Sequence, residues 1–315
     1  MSKKQSGDQI QSQIQNLLDK AYEAESDSQA LELVEKVLSI DPENPEALMI
    51  KADRLNDDES DNYRGKLELI NRALRSLETG THNYDSDDSE DRDVLFYALK
   101  QRLLFTHFDR CEFEKVLEIA RELMQNDPED FAVINLNEVA RALYYASLIE
   151  LRRWQEILSD TMRDEIHDTA WAYSRVVGAF MLSEDKRENN HVCARMFCEA
   201  LGIAPNVPFY ILGYKSPEEV EDADESDELG LSEFDFALMF SCLGKISYEF
   251  SMWFTKGTTL FGLFTNRFKR EYDYMIDALD NLGGYHEYEV MSRELFECDD
   301  AAVLEMMASH GFPMR

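Results

Sequence analysis

One phrase recurs in this chain and constrains its fold more than any other: an amphipathic segment that stops at an acid-proline turn. ALELVEKVLSIDPENPEAL, beginning at Ala30, keeps Ala30, Val34, Val37 and Leu38 on one helical face and ends in Asp41-Pro42-Glu43. VLEIARELMQNDPEDFAVI, beginning at Val116, repeats the pattern and ends in Asp127-Pro128-Glu129. A third copy, CARMFCEALGIAPNVP, sets Phe197, Ala200 and Leu201 before Pro205 at the distances that separate Val34, Val37 and Leu38 from Pro42. A helix pair of this kind cannot bury its apolar face alone, so neighbouring pairs must cover it, and the expected architecture is a stack of helices.

The phrase organises its surroundings. Ile10, Ile14, Leu17, Leu18 and Ala21 form a stripe at helical spacing over residues 9–24, and the pattern resumes from Ala30 to Ile40 after a polar break, which makes one helix pair. Asp27 or Ser28 is placed to cap the second helix, Pro42 prevents its continuation, and Pro45 is placed to open the next. Leu48, Ala52 and Leu55 mark the first helix of a second pair, whose partner spans Tyr63 to Leu77. Helical pattern returns at Val94, and RCEFEKVL (Arg110 to Leu117) is echoed by LRRWQEIL (Leu151 to Leu158), with Phe113 and Trp154 at the same place in the two copies.

Between these blocks the texture changes. Residues 80–93, including HNYDSDDSEDRD, are too polar to bury anything and read as an acidic insertion. Past Pro205 comes the extended-looking VPFYILGYK, then an acidic loop from Glu218 to Glu228, then aromatic-rich helical segments from Phe234 to Leu282 that the pair Gly283-Gly284 interrupts. A final helix over about Ala301 to Ser309 closes the chain. The organisation is therefore N-terminal helical repeats over 1–79, the insertion at 80–93, central helical repeats over 94–205 and a helical C-terminal region over 206–315. The expected fold is all-α, a helix-turn-helix repeat solenoid with a helical C-terminal cap.

Length and charge narrow the functional classes. With 315 residues, 44% of them hydrophobic, the chain has enough apolar surface for a substantial core. Its net charge of −32, from 64 acidic and 32 basic side chains, repels a phosphate backbone, so nucleic-acid binding is not expected and a basic partner fits better. The same carboxylates also serve simply to keep a surface soluble. MSKKQSGDQIQSQIQ lacks the apolar core of a secretory signal and no later stretch is long enough to cross a bilayer, so a cytoplasmic protein without membrane association is expected. Five dispersed cysteines (Cys111, Cys193, Cys198, Cys242, Cys298) read as reduced thiols packed as small apolar groups.

Motifs that carry chemistry are few. Asp222, Asp224, Ser226, Glu228 and Glu233 nearly follow a calcium loop, but Asp227 stands where the sharp turn needs glycine, and a solvated acidic loop is the expectation. The Asp85 to Asp93 run lacks the glycine and the closing glutamate as well. His191, Cys193 and Cys198 do not have the spacing of a zinc site, and Cys193 shares a helical face with Phe197, which points to packing. Six scattered histidines share no motif, and the chain contains no phosphate-binding glycine loop, zincin helix or nucleophile elbow. No cofactor or metal is expected, and no enzymatic activity. The stretch from Tyr248 to Met275 is the most aromatic part of the chain and also holds Lys256, Arg267, Lys269 and Arg270. It reads either as a partner-binding or membrane-surface segment or, in the preferred reading, as a buried helical core with a basic edge.

The repeated phrases resemble the tetratricopeptide repeat, a helix-turn-helix unit with a small residue midway and a closing proline, over residues 10–79 and 93–205. Ala30 and Ala52 fall at the family's small positions and Pro42 at its closing proline, while Val37 stands where alanine is usual and Ala21 where tyrosine is usual. The block NVPFYILGYKSPEE, Asn206 to Glu219, is similar to the segment that follows the helical repeats in the suppressor-of-tumorigenicity family and related bacterial repeat proteins. The tetratricopeptide resemblance implies a non-catalytic interaction scaffold or adaptor that binds a protein or peptide along a concave face, using the first helix of each pair. Carried onto this sequence, the binding positions are Gln15 and Asp19 in one pair and Met49 and Asp53 in the next. These are neutral or acidic where carboxylate-clamping members carry lysine and asparagine, so a basic or mixed-charge peptide is implied. The alternative from charge alone is an acidic chaperone or decoy that sequesters a basic protein.

Overall fold

The computed structural model describes residues 2–55, 60–79, 89–125, 131–183, 190–216, 231–268, 271–295 and 299–313. Among them every regular element is helical, so the protein is all-α. The chain divides into two compact units, Met1–Glu112 with Pro128–Leu136, and Phe113–Asp127 with Asn137–Arg315.

The first unit contains α1 (Ser2–Tyr22), α2 (Asp27–Ile40), α3 (Pro45–Asp53), α4 (Ser60–Thr79) and α5 (Ser89–Asp109). Each helix packs on the next in sequence, and α1 also touches α3. Ile14, Leu18 and Ala21 of α1 meet Val34 and Val37 of α2 and Ala47 and Ile50 of α3 in one apolar cluster. Removing the Ile, Leu and Val side chains of this cluster from water supplies the driving force, on the order of 1.5–3 kcal/mol for each. Ile10, at the start of the α1 stripe, stays 46% exposed.

The acid-proline phrase has a local mechanism. Asp41 leaves the helix in extended backbone, and its carboxylate accepts from the Glu43 amide (3.3 Å) and from Asn44 Nδ2 (3.4 Å). Asn44 then caps α3 by accepting from the Ala47 amide at 2.9 Å, and Pro45 occupies the first helical turn, where a missing N–H costs nothing. The cap of α2 is Ser26, whose Oγ accepts from the Gln29 amide at 3.4 Å; Asp27 and Ser28, the expected caps, lie inside the first turn. Asp127-Pro128-Glu129 lies outside the described residues.

The echo between RCEFEKVL and LRRWQEIL is a repeat of backbone geometry. Cys111 (φ 56°) and Arg152 (φ 55°) both take the left-handed conformation. Glu112 N–H bonds to His107 O at 2.9 Å, and Arg153 N–H bonds to Leu148 O at 2.9 Å. Each is the six-to-one closure that ends a helix and satisfies a stranded carbonyl. Phe113 and Trp154 then open α6 (Phe113–Gln125) and α8 (Trp154–Thr161).

The second unit holds α6, α7 (Phe131–Glu150, from Asn137 onward), α8, α9 (Thr169–Leu182), α10 (Asn190–Ile203) and α11 (Val207–Ile211). It continues with α12 (Glu233–Met239), a 3-10 turn over Ser241–Lys245, α13 (Tyr248–Phe264), α14 (Tyr272–Asn281), α15 (Tyr285–Ser292) and α16 (Asp300–His310). Its centre is aromatic. Phe180 of α9 and Phe197 of α10 pack on Trp253 of α13 with ring centroids 5.1 and 5.6 Å apart, and Phe312 stacks on Trp253 at 4.9 Å. The aromatic stretch is thus core over α13 from Phe250 onward, while Tyr248 at the helix start is 77% exposed. Lys256 is not part of a basic edge: it is 1% exposed and donates to Pro313 O (2.7 Å) and Gly283 O (3.1 Å), with Glu287 Oε2 at 3.4 Å. Lys269 and Arg270 lie outside the described residues.

VPFYILGYK is not extended. Val207–Ile211 is a single helical turn with proline in its first positions, and Tyr214 N–H closes it on Phe209 O at 2.8 Å. The continuous apolar run reads as a strand, yet Pro208 favours a helix start and Val207 and Phe209 are buried together. Of the expected insertion, residues 80–88 lie outside the description, while residues from Ser89 onward belong to α5. The calcium-like run lies outside it too, apart from Glu233, whose carboxylate accepts from Asn206 N–H and Nδ2 at 3.2 and 2.6 Å.

Candidate functional site

In the first unit, side chains from α1, α3 and α5 meet at one surface. On α1, Gln15, Asp19 and Tyr22 fall at helical spacings of four and three; Gln15 Nε2 donates to Asp19 Oδ1 at 3.0 Å, and both are exposed. Tyr22, the last residue of α1, is 49% exposed. Its phenol is held well above its ordinary pKa, by burial first and then by the Glu46 carboxylate, to which it is hydrogen-bonded; Arg102 and Asp53 act on it more weakly. Glu46 stands in the first turn of α3, and Asp53 is that helix's last residue.

Arg102 completes the arrangement from α5. Leu99, Leu103 and Leu104 are buried, so the helix presents Arg102 at the edge of its packed face. Its Nε lies 2.8 and 2.9 Å from the two carboxylate oxygens of Asp53, while Nη1 donates to Ala98 O at 3.1 Å. The surface therefore carries acceptors from Asp19, Glu46 and Asp53, one guanidinium, and a tyrosine ring.

Of the four residues expected at a binding face, the structure brings Asp53 into this cluster and sets Gln15 and Asp19 on the same stripe of α1 as Tyr22. Met49 is 6% exposed and packs in the core, since α3 is apolar on several sides and buries Ala47, Leu48, Met49, Ile50 and Ala52. Sequence reasoning missed Tyr22, Glu46 and Arg102. Tyr22 continues the stripe of Gln15 and Asp19 and was open to periodicity; Arg102 has no sequence signal, because only packing brings it to Asp53.

Two other polar clusters resemble acid-base machinery. In the first unit Tyr63 Oη donates to Glu112 Oε2 at 2.7 Å, and His107 Nδ1 lies 2.6 Å from the same oxygen. Tyr63 is pushed up to about 12, by burial foremost and then by Glu112. These contacts tie α4 to the turn that ends α5. In the second unit Arg141 pairs with Asp164 and, through Nε at 3.2 Å, with Asp168, which caps α9 by accepting from the Trp171 amide at 2.8 Å. Burial raises the Asp168 carboxyl to about 6, helped by Asp164 and Glu138 and opposed by the Trp171 amide and Arg141. The first cluster thus sits at the end of α5 and the second at the start of α9.

The cysteines divide by position. Cys193 and Cys198 are buried, and burial pushes their thiols up to about 11 and about 12, away from reactivity. His191 beside them is exposed. Cys111 is exposed at its left-handed turn, contrary to the expectation of packing, and Cys298 lies outside the described residues. Among the described residues no group of three or more His, Cys, Asp or Glu is placed to hold a metal ion, and no helix is long and apolar enough to cross a membrane. The chain matches no family model, no curated protein and no solved structure.

Proposed function

We propose that this protein is a non-catalytic interaction scaffold or adaptor, built from degenerate tetratricopeptide-like helix pairs, that takes a basic or mixed-charge segment of another protein on the surface of α1, α3 and α5. The observation that carries this reading is the convergence of Tyr22, Glu46, Asp53 and Arg102 from three alternate helices. Alternate helices share a face when consecutive antiparallel pairs stack, and that shared face is where such stacks bind extended segments. The alternative, an acidic decoy that sequesters a basic protein by charge alone, draws on the net charge of −32.

Fluorescence anisotropy with short labelled peptides tests both. A peptide that combines lysine or arginine with apolar residues is expected to bind better than a purely basic or an acidic one, and to remain bound at about 0.5 M salt, where exposed charge pairs are screened. Asp19→Lys with Asp53→Lys is expected to weaken it at least about tenfold, equivalent to about 1.4 kcal/mol. Unchanged affinity in that variant overturns the reading, and binding that disappears at moderate salt favours the decoy.

A further inference from the structure

A second surface, in the second unit, has the chemistry of a cation receptor. Tyr272 and Tyr285 are 39% and 45% exposed, from α14 and α15. They join through Tyr288: its ring centroid lies 6.3 Å from that of Tyr285, its hydroxyl contacts the Tyr272 hydroxyl, and Phe264 of α13 stacks against it at 5.2 Å with planes 13° apart. The cluster is thus anchored on the core helix rather than hung on a loop. Burial first, and then the bond to Tyr272, raises the Tyr288 phenol well above its ordinary value, so it stays neutral.

The segment that carries these tyrosines is acidic, while the basic residues Arg267, Lys269 and Arg270 precede it. From Glu271 to Glu289 the chain has six carboxylates and no Lys or Arg. Glu287 is taken by Lys256 and Glu289 by Arg293, while Glu271, Asp273, Asp277 and Asp280 are exposed and form no ion pair among the described residues. At 3.6 residues per turn Asp273 and Asp280 lie on one flank of α14, about a quarter-turn round from Tyr272, and Tyr274 lies nearly opposite Tyr272. Elsewhere in this protein guanidiniums already cover aromatic rings: Arg110 over Tyr63 at 4.7 Å, Arg121 over Tyr144 at 5.3 Å, Arg175 over Trp171 at 4.8 Å. The Tyr272, Tyr285 and Tyr288 rings carry no such cover among the described residues.

We propose that Tyr272, Tyr285 and Tyr288 form a docking surface for an arginine-bearing segment of a basic protein, the guanidinium lying on the tyrosine rings and its charge met by the exposed carboxylates on the flank of α14. Arginine fits better than lysine because its planar, weakly hydrated head stacks on a ring without losing a tightly held water shell. The net charge of −32 draws such a partner and repels a second copy of the chain. This surface is independent of the one on α1, α3 and α5.

The test uses two labelled peptides of equal length, one alternating arginine with glycine and one alternating lysine with glycine, titrated into the full chain. The arginine peptide is expected to bind several-fold more tightly and to shift the ring-proton resonances of Tyr272 and Tyr285. Each exposed ring contributes about two- to fivefold, so Tyr272→Leu with Tyr285→Leu is expected to weaken the arginine peptide about tenfold and to abolish its advantage over lysine. Tyr272→Phe with Tyr285→Phe keeps the rings and is expected to keep the preference, while Tyr248→Leu, 77% exposed at the other end of α13 from Phe264, changes nothing. Equal affinities for the two peptides, unshifted tyrosine resonances, or an undiminished preference in the double leucine variant overturns the proposal. Asp19→Lys with Asp53→Lys leaves this binding intact, so the two surfaces fail or stand separately.

Discussion

Replacing Asp168 by asparagine should stabilise the protein at neutral pH, although it removes half of an ion pair and alters a helix cap. The carboxylate is only 18% exposed, and burial outweighs Arg141 and the Trp171 amide, lifting its pKa from the usual 3.8 to about 6. A raised acid binds its proton more tightly in the folded chain than in the unfolded one. Its contribution is therefore fully favourable below the unfolded pKa and is lost as pH rises toward and through the folded value. With about 1.4 kcal/mol per pKa unit, holding the charge costs about 2 kcal/mol at pH 5 and approaches about 3 kcal/mol at pH 7. Asparagine mimics the protonated acid, keeps an acceptor for the Trp171 amide at 2.8 Å, and leaves Asp164 to pair with Arg141. Urea unfolding of both proteins from pH 5 to 8, above the isoelectric point near 4.4, isolates the effect in their difference. The asparagine variant should gain stability as pH rises to 7 and then level off. A variant that is less stable by the same amount at every pH refutes the reasoning, because Arg141 would then outweigh burial.

Two further substitutions test the packing. Asn44→Ala removes the cap on α3 at a residue 3% exposed, and urea denaturation should show a loss of about 1–2 kcal/mol, with Asn44→Asp largely sparing it. Gly257→Ala would ordinarily favour a helix by about 1 kcal/mol. Here its Cβ would lie 2.7 Å from Phe312 and 2.8 Å from Phe197, so calorimetry should instead show a lowered melting temperature, with an overpacking cost of about 1–3 kcal/mol.

Much of the local structure was legible because it depends on neighbours in sequence. The stripe of Ile14, Leu18 and Ala21, the stop at Pro42 and the start at Pro45 are consequences of helical period and proline geometry, and all appear where they were read. The echo of Phe113 and Trp154 marked a turn whose left-handed residues, Cys111 and Arg152, are not glycines and so gave no signal of their own. VPFYILGYK misled because a short apolar run has no period, and its proline was the better guide.

The sequence by itself determined that the chain is helical, where several helices begin and end, and that its surface is strongly acidic. Only the tertiary structure decided which side chains stand at a surface. Met49 and Asp53 occupy one helix four residues apart, yet one is buried by neighbouring helices and the other reaches Arg102, 49 residues along the chain. Tyr272 and Tyr288 likewise meet because α14 and α15 pack together. Helical period fixes the direction of a side chain relative to its own helix, but what covers that direction depends on contacts between distant segments, which no local pattern encodes.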